Sequence, residues 1–256
     1  MRILISNDDG IDAPGIAALV DAAYPLGEVM VVAPDSAQSG AGHGITVTHP
    51  LRAKHYDFKT SNGRAVEAYS VNGRPADCVR LAVRMLIDGP VDLVLSGINK
   101  GANDGVCVFY SGTVAAAAEA RLLGIPAIAL SCQSEPDGVR FDRAGELAGP
   151  ILAKLVDAGM EPGDFLNVNF PVLSKPEFPV GVCVARQNRA ELHDYYEVLS
   201  DNGDETVYQL GRDYDTGHDG DDTDSHAMKN GFVTITPLRI DMTDHERLDR
   251  WGLMND

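Results

Sequence analysis

Short apolar runs alternate with apolar stripes of helical spacing along the first two thirds of the chain. Runs typical of buried parallel strands occupy residues 3–5, 28–33, 92–95, 126–130 and 167–170. Helical spacing predicts helices near residues 14–24, 75–86, 114–123 and 141–158. Strands that alternate with helices in this way indicate a Rossmann-like, three-layer α/β sandwich with a mostly parallel central sheet.

The remaining segments have a different pattern. Residues 46–58 and 65–71 are expected to be extended, as antiparallel additions to the sheet. After residue 170 the predicted elements are short extended pieces at residues 182–186, 206–210 and 232–237, followed by a helix at residues 241–253. We therefore expect a single domain, with a core of about residues 1–170 and a β-rich C-terminal extension of about residues 171–256.

Composition places the chain among ordinary α/β proteins of 256 residues, 44% of them hydrophobic. No apolar run is long enough to span a bilayer, and the three apolar residues after Arg2 are too few for a signal peptide. The four cysteines are scattered and form no CxxC pair, which favours reduced thiols. A cytoplasmic location is expected.

A formal net charge of −17 argues against duplex nucleic acid or an anionic membrane as partner. An anionic substrate would need local positive charge, from a metal ion or from helix N-termini. Nine of the 24 residues from Asp201 to Asp224 are acidic, and we expect a solvated loop there. This stretch lacks the spacing and the closing glutamate of an EF-hand.

Two adjacent acids, Asp8 and Asp9, follow the first predicted strand and precede Gly10. Carboxylate pairs bind hard cations, relay protons, or act as the nucleophile in phosphoryl transfer. Alone, this tripeptide would more often be a turn between a strand and a helix. Its interpretation depends on which other side chains reach the same edge of the sheet.

Polar side chains also follow the other predicted strands. Asp35 and Ser39 come after the second strand, and Asn99 and Asn103 come after the strand at residues 92–95. In an open parallel sheet, ligands bind beyond the carboxyl ends of the strands. All of these side chains offer oxygen, which favours magnesium, manganese or calcium over zinc.

The segment Tyr110-Ser-Gly-Thr precedes an alanine-rich helix. Ser111 or Thr113 would cap that helix, so that its first N–H groups face the same edge, as in many phosphate sites. Gly112 would allow close approach of the backbone to a ligand. Beside an oxygen-only cation site, phosphate binding is the favoured interpretation.

Other enzyme classes match less well. Residues 40–44 resemble a dinucleotide fingerprint but have the wrong spacing, and neither a GxSxG elbow nor a Walker A lysine loop occurs. Haloacid dehalogenase-type phosphatases need two acids separated by one residue, whereas Gly10 occupies the second of those positions.

Taken together, these motifs resemble the SurE (survival protein E) family of metal-dependent nucleotidases. The matching segments, in order, are Ile5–Gly10, Ala33–Asp35 with Ser39–Gly40, Pro75–Cys78, Ser96–Asn99 with Gly101 and Asn103, Tyr110–Val114, Thr223–Asp224, and Ile235–Leu238. The resemblance covers most of the chain.

The resemblance implies one divalent cation per subunit, Mg²⁺ or Mn²⁺, bound by Asp8, Asp9, Ser39 and Asn99. It implies phosphate contacts from Asn103, Ser111, Gly112 and Thr113. The implied activity is hydrolysis of nucleoside 5′-monophosphates, with 3′-monophosphates as further substrates. It also implies a homodimer or homotetramer in which the C-terminal extension contacts a neighbouring subunit.

The chain departs from the family pattern at two places. Many members have an arginine where this chain has Ser36, and a pair of acids where it has Val106 and Cys107. Both changes fall in loops near the predicted site and bear on substrate preference, not on the predicted metal ligands.

Our hypothesis for the reaction is direct attack by water on a phosphate monoester, with Asp8 orienting or deprotonating the water and Asp9 mainly a ligand. A covalent aspartyl-phosphate on Asp8 is the alternative route. His43 and His226 are candidate donors of a proton to the leaving group, whereas His218 in the acidic loop is expected to be structural or solvated. The alternative functions are a phosphatase for polyphosphate or other small esters, and a non-catalytic nucleotide or metal sensor.

Overall fold

The computed structural model describes residues 1–60, 62–212 and 217–251. The strands are β1 (Arg2–Ser6), β2 (Glu28–Pro34), β3 (Ala53–His55), β4 (Phe58–Lys59), β5 (Ala65–Val71), β6 (Leu93–Lys100), β7 (Ala127–Cys132), β8 (Phe165–Phe170), β9 (Gly181–Val184), β10 (Asp194–Asp201), β11 (Thr206–Arg212) and β12 (Phe232–Pro237). The helices are α1 (Pro14–Ala23), α2 (Pro75–Leu81), α3 (Gly112–Leu122), α4 (Phe141–Asp157), α5 (Asp224–Lys229) and α6 (Leu248–Trp251).

One large sheet runs through the molecule in the order β3-β5-β2-β1-β6-β7-β8-β12-β9, with β4 beside β5. From β5 to β8 all neighbouring strands are parallel. The chain leaves β1 towards β2 on one side and returns to β6 on the other, so the strand order reverses beside β1. In doubly wound sheets, this switch point is where a ligand crevice forms at the carboxyl ends of the strands.

Helices cover both faces of the sheet. Ile3 and Ile5 of β1 join the core beneath α1 and α4, whereas Leu4 points to the other face, beneath α2 and α3. Alternation of side chains along a strand requires this division. The predicted three-layer α/β fold is therefore confirmed.

Most predicted helices occur close to their predicted positions. Pro14 and Pro75 each occupy the first turn of a helix, where the missing N–H is not needed. The helix that begins at Pro75 continues beyond Leu81 as a looser turn to Leu86, closed by the bond from the Ile87 N–H to the Ala82 carbonyl. No helix in the described ranges is long and apolar enough to cross a membrane.

The prediction of an extended, antiparallel addition at residues 46–58 is confirmed only in part. Only β3 and β4 form strands there, and both pair antiparallel with β5. The backbone N–H of Thr46 donates to the Asp77 carboxylate at 2.9 Å, and its hydroxyl donates to the same carboxylate at 2.6 Å. This segment therefore bonds to a side chain of α2 instead of to a neighbouring strand, and Pro50 removes a further donor.

The C-terminal segment contains more strands than the sequence predicted. The extended pieces at residues 206–210 and 232–237 are confirmed as β11 and β12, and the piece at 182–186 corresponds to β9. β12 pairs antiparallel with β8 and parallel with β9, so both strands extend the central sheet. β10, which was not predicted, forms a separate two-stranded hairpin with β11.

The acidic stretch is therefore not one solvated loop. The hairpin turn is held by the Asn202 side chain, which accepts bonds from the N–H groups of Asp204 and Glu205. At its other end, Asp224 begins α5 and is fully buried. The sequence analysis did not anticipate this burial. An acid can be buried when several backbone N–H groups donate hydrogen bonds to it.

The predicted helix at residues 241–253 is confirmed in part: residues 245–251 are helical, whereas residues 241–244 are not. The side chain of Asp241 accepts bonds from the Thr243 N–H at 2.9 Å and from the His245 ring at 2.7 Å, which closes a local turn. A short helical turn at His245–Arg247 and α6 follow. Residues 252 and 253 of the prediction lie outside the described residues.

Candidate active site

Asp8 and Asp9 lie directly beyond β1, at the switch point of the sheet. The side-chain amide of Asn7 donates to the Gly10 carbonyl at 2.8 Å and closes the turn that presents both carboxylates. They border a cavity of about 330 Å³. Its lining includes Asp8, Asp9, Ser39, Asn99, Lys100, Asn103, Asp104, Cys107, Tyr110, Ser111, Leu192, Ser225, Met228 and Lys229.

All four predicted metal ligands line this cavity. Ser39 is brought there because the N–H of Gln38 donates to the Asp8 carbonyl at 2.7 Å. The register between β6 and β7 is interrupted between Ser96 and Asn99. Within this interruption the backbone of Gly97 lies so close to β7 that a Cβ would be 2.2 Å from the Leu130 carbonyl oxygen. The Asn99 amide donates to the Gly101 carbonyl at 2.8 Å, so its oxygen is offered to a ligand.

Asp8 is almost fully buried, with 6% of its surface exposed. Burial raises the pKa of this carboxyl to about 6, and the charge of Asp9 adds to the rise. The Thr113 hydroxyl, which donates to Asp8 Oδ1 at 2.5 Å, opposes the rise. Ionised Asp8 therefore has one strong partner and would gain from a nearby cation.

Asp9 is held from the backbone of the neighbouring strand. The Lys100 N–H donates to Asp9 Oδ2 at 2.9 Å. Burial raises the pKa of Asp9, and the bond from Lys100 and its charge lower it. The two adjacent carboxylates, one serine hydroxyl and one amide oxygen form an oxygen-only set, which fits a hard divalent cation such as Mg²⁺ or Mn²⁺.

Asn103 is fixed on the cavity wall by a buried amide network. Its backbone N–H donates to Asn169 Oδ1, its side-chain amide donates to Ser131 Oγ, and its carbonyl accepts from Asn167 Nδ2, each at 2.8 Å. Two asparagines inside a strand with both faces covered were the only sign of this network in the sequence.

The N-terminus of α3 abuts Asp8. Ser111 caps the helix, because its hydroxyl oxygen accepts from the Val114 N–H at 3.1 Å, and it lines the cavity. Gly112 and Thr113 lie behind the wall, against Asp8, where a Cβ on Gly112 would be 2.7 Å from Asp8 Cβ. The positive end of the helix dipole therefore faces the carboxylates and any anion bound beside them.

Neither candidate histidine borders the cavity. His43 Nε2 lies 2.9 Å from the buried carboxylate of Glu119, which also pairs with Arg80 at 2.7 Å. His226 lines a separate surface groove. Of the three departures from the family pattern, Cys107 borders the cavity, whereas Ser36 and Val106 do not.

The sequence did not identify the lysines of this site or its C-terminal wall. Lys100 and Lys229 bring positive charge to the cavity, and Lys100 could have been noted because it directly follows Asn99. Lys229, Ser225 and Met228 belong to α5, which no local pattern connects to the sheet edge.

The carboxylate of Asp224 attaches α5 to the cavity rim. Asp224 accepts from the N–H of Gly105 at 2.9 Å and from the N–H of Asn188 at 2.8 Å. It also accepts from its neighbour Ser225 at 2.8 Å. Burial raises the pKa of Asp224, and these backbone bonds oppose the rise. The C-terminal segment therefore completes a site that begins at β1.

Comparison with known proteins agrees with this geometry. A family model described as "Survival protein SurE" matches residues 3–194. The chain is 44% identical over 250 residues to 5′-nucleotidase SurE 1 from Thermus thermophilus, covering 97% of this chain and 96% of that protein. It is 42% identical over 250 residues to 5′-nucleotidase SurE from Desulfatibacillum aliphaticivorans, covering 98% and 96%.

A solved structure gives the same result. The crystal structure of the SurE protein from Aquifex aeolicus matches with a TM-score of 0.83 and 36% identity, and all of both chains is covered. The family model and the near full-length relatives thus confirm the resemblance drawn from the motifs: the protein belongs to the SurE family.

Proposed function

We propose that the protein is a 5′-nucleotidase that hydrolyses nucleoside monophosphates to nucleoside and phosphate. One observation carries the proposal: four oxygen donors, Asp8, Asp9, Ser39 and Asn99, line the same cavity as the capping serine of α3. The names of the relatives, 5′-nucleotidase SurE, support the choice of substrate. Lys100 and Lys229 add positive charge for an anionic substrate in a chain of net charge −17.

The metal would be a divalent cation, Mg²⁺ or Mn²⁺, one per subunit, held by Asp8, Asp9, Ser39 and Asn99. When bound, it would supply Lewis-acid charge to the phosphoryl oxygens and acidify the attacking water. Asp8 orients or deprotonates that water, because it is the more deeply buried carboxylate and the Thr113 hydroxyl fixes its geometry. Asp9, held by the Lys100 N–H, acts mainly as a ligand.

The phosphate would lie between the metal ligands and the start of α3. Ser111 and Asn103 present polar groups to the cavity, and the first turn of α3 directs its dipole there. Gly112 and Thr113 contribute indirectly, by holding Asp8 against the helix. The nucleoside would extend towards Tyr110, Leu192 and Met228, which border the same cavity.

A phosphate-release assay tests the proposal. The panel contains nucleoside 5′- and 3′-monophosphates, polyphosphate and a simple aryl phosphate, each with Mg²⁺, Mn²⁺ or EDTA. We expect release from 5′-monophosphates that requires metal and falls about 100-fold or more in Asp9→Asn. Asp35→Asn is the matched control, because Asp35 follows the neighbouring strand but does not border the cavity.

Each alternative has its own outcome. Preferential release from polyphosphate or the aryl ester would favour the broader phosphatase, and no release with any metal would favour a sensor. Release by Asp9→Asn in EDTA at the wild-type rate would contradict the metal mechanism. Trapping a phospho-enzyme on Asp8 would replace direct attack by water with the covalent route.

The same proposal includes a homodimer or homotetramer held by the hairpin of β10 and β11. Every residue of β10 is exposed, on both faces of the ribbon. The hairpin exposes Tyr195, Tyr196, Val198, Leu199, Val207, Tyr208 and Leu210. A two-stranded ribbon is marginally stable by itself, and apolar side chains on both faces favour burial against another subunit.

Light scattering coupled to size exclusion tests this part. We expect Tyr196→Asp together with Tyr208→Asp to shift the protein towards the monomer. Val47→Asp is the matched control, since Val47 is an apolar residue that is 80% exposed outside the hairpin. An unchanged mass for the double variant would exclude the hairpin as the main interface.

A further inference from the structure

Two histidines and an aspartate converge on the surface, on the side of α5 that faces away from the candidate active site. His218 Nε2 lies 3.3 Å from Asp221 Oδ1, and His226 Nδ1 lies 3.7 Å from the same oxygen. One ligand atom from each of the three residues lies within 4.8 Å of the others. The ring centroids of the histidines are 5.6 Å apart.

The short helix α5 separates this cluster from the cavity. Ser225, Met228 and Lys229 border the cavity, whereas His226, Ala227 and Asn230 border a second groove of about 380 Å³. The two linings have no residue in common. The cluster is therefore a separate feature from the proposed catalytic site, and solvent reaches it through the groove.

The acidic residues of this segment differ in the partners that their carboxylates contact. Arg186 pairs with Asp219 at 2.8 Å and with Asp222 at 2.9 Å, and Arg189 also pairs with Asp219 at 3.0 Å. The carboxylate of Asp221 instead points towards two imidazoles and is 85% exposed. Among the described residues, its ion-pair contacts are with these two imidazoles and not with an arginine, so this exposed carboxylate is accessible to a cation.

We propose that His218, Asp221 and His226 form a second metal site, for a divalent transition metal such as Zn²⁺. Two imidazole nitrogens and one carboxylate oxygen suit zinc, nickel or cobalt, and they suit magnesium or calcium poorly. The oxygen-only set at Asp8, Asp9, Ser39 and Asn99 has the opposite preference. The protein would thus sort two kinds of metal ion by the chemistry of their ligands.

The geometry allows closure around an ion. Ligand atoms on a tetrahedral zinc are about 3.3 Å apart, as follows from bond lengths of about 2.0–2.1 Å. Two of the present separations, 3.3 and 3.7 Å, are already near this value. The side chains of His218 and Asp221 are 63% and 85% exposed, so they can rotate without disturbing the core. Water can complete the coordination.

The bound metal would connect two parts of the C-terminal segment. His226 belongs to the first turn of α5, and His218 with Asp221 belongs to the preceding loop. The Thr223 hydroxyl already ties this loop together, by donating to the Gly220 carbonyl at 2.9 Å. Zinc would add a second, stronger connection between the loop and the helix that forms one wall of the cavity.

Calorimetric titration with Zn²⁺ in the presence of excess Mg²⁺ tests the proposal. We expect His218→Ala and Asp221→Ala each to lose one equivalent of bound Zn²⁺, or at least about tenfold in its affinity. His49→Ala, which removes an exposed histidine elsewhere, should bind as the wild type does. Repeating the titration in Asp9→Ala removes the contribution of the oxygen site.

Thermal unfolding supplies an independent measurement. With excess Mg²⁺ present, Zn²⁺ should raise the melting temperature of the wild type and of Asp9→Ala, but not that of the double variant Asp9→Ala with His218→Ala. Since His218 and Asp221 are exposed, their variants should melt like the wild type when Zn²⁺ is absent. Equal zinc binding by the wild type, His218→Ala and Asp221→Ala would overturn the proposal.

Discussion

The hydroxyl of Thr113 donates a hydrogen bond of 2.5 Å to Oδ1 of Asp8, across 105 positions of the sequence. This bond joins the end of β1 to the first turn of α3. It connects the carboxylate proposed to handle water with the helix proposed to attract phosphate.

Replacement of Thr113 should reduce activity without unfolding the protein. Thr113→Val keeps the shape of the side chain but removes the donor, so the buried Asp8 loses its strongest fixed partner. We expect metal affinity or turnover to fall about 10- to 100-fold, as for other residues that orient a ligand. Thr113→Ser keeps the hydroxyl and should restore most of the activity; turnover of Thr113→Val within twofold of the wild type would contradict this role.

Gly112 should tolerate no side chain. A Cβ at this position would lie 2.7 Å from Asp8 Cβ and 3.1 Å from Pro75 Cγ, so Asp8 or the helix start must move. Misplacement of a reacting group by about 1 Å can cost about 100-fold in rate. Gly112→Ala should therefore lose most of its kcat, and its melting temperature should change much less. The comparison of kcat with melting temperature separates displacement of Asp8 from general unfolding.

Asp224 should be essential for stability. Asp224→Ala leaves the N–H groups of Gly105, Asn188 and Ser225 without their acceptor in a buried place. We expect the free energy of unfolding to fall by about 3 kcal/mol, measured by urea denaturation. Asp204→Ala, at the exposed hairpin turn, should change it by less than about 0.5 kcal/mol. Equal stability of the two variants would show that other contacts hold α5.

Cysteine reactivity should depend on pH in a residue-specific way. Burial raises the pKa of Cys132 to about 12, and it also raises the pKa of Cys78. The thiolate is the form that is alkylated, and it appears only as pH approaches the pKa. Burial also raises the pKa of Cys183, but this thiol is only half-buried. In folded protein at about pH 8, iodoacetamide should therefore leave Cys132 and Cys78 unmodified and should react before them at Cys183. Peptide mapping before and after unfolding tests this order.

The sequence predicted the half of the site that depends on strand ends. Parallel strands of a doubly wound sheet end at one edge, so the sequence allowed us to predict that four side chains lie close together: Asp8, Asp9, Ser39 and Asn99. The cap of α3 at Ser111 was predictable for a similar reason, since a serine precedes a helical run. These are local patterns combined with one rule of topology.

The other half could not be predicted, because it depends on contacts between distant segments. α5 reaches the cavity through the bonds of Asp224 to residues 105 and 188, and no periodicity indicates them. His218 is exposed, as expected, but nothing in the sequence placed it beside His226, where the loop turns back onto α5. The strand predicted over residues 46–58 does not form at its start, because the carboxylate of Asp77 accepts the hydrogen bonds of Thr46 that a neighbouring strand would have accepted.

The two origins of the cavity wall have a consequence for protein engineering. The proposed metal ligands and the helix proposed to face phosphate come from residues 8–113, whereas Leu192, Ser225, Met228 and Lys229 come from the C-terminal segment. Chimeras that exchange this segment between family members, with Asp224 kept in place, would alter the wall opposite the metal ligands while leaving the catalytic groups intact. The two parts would then have separate roles: residues 8–113 hold the proposed catalytic groups, and the C-terminal segment forms a wall that can be exchanged.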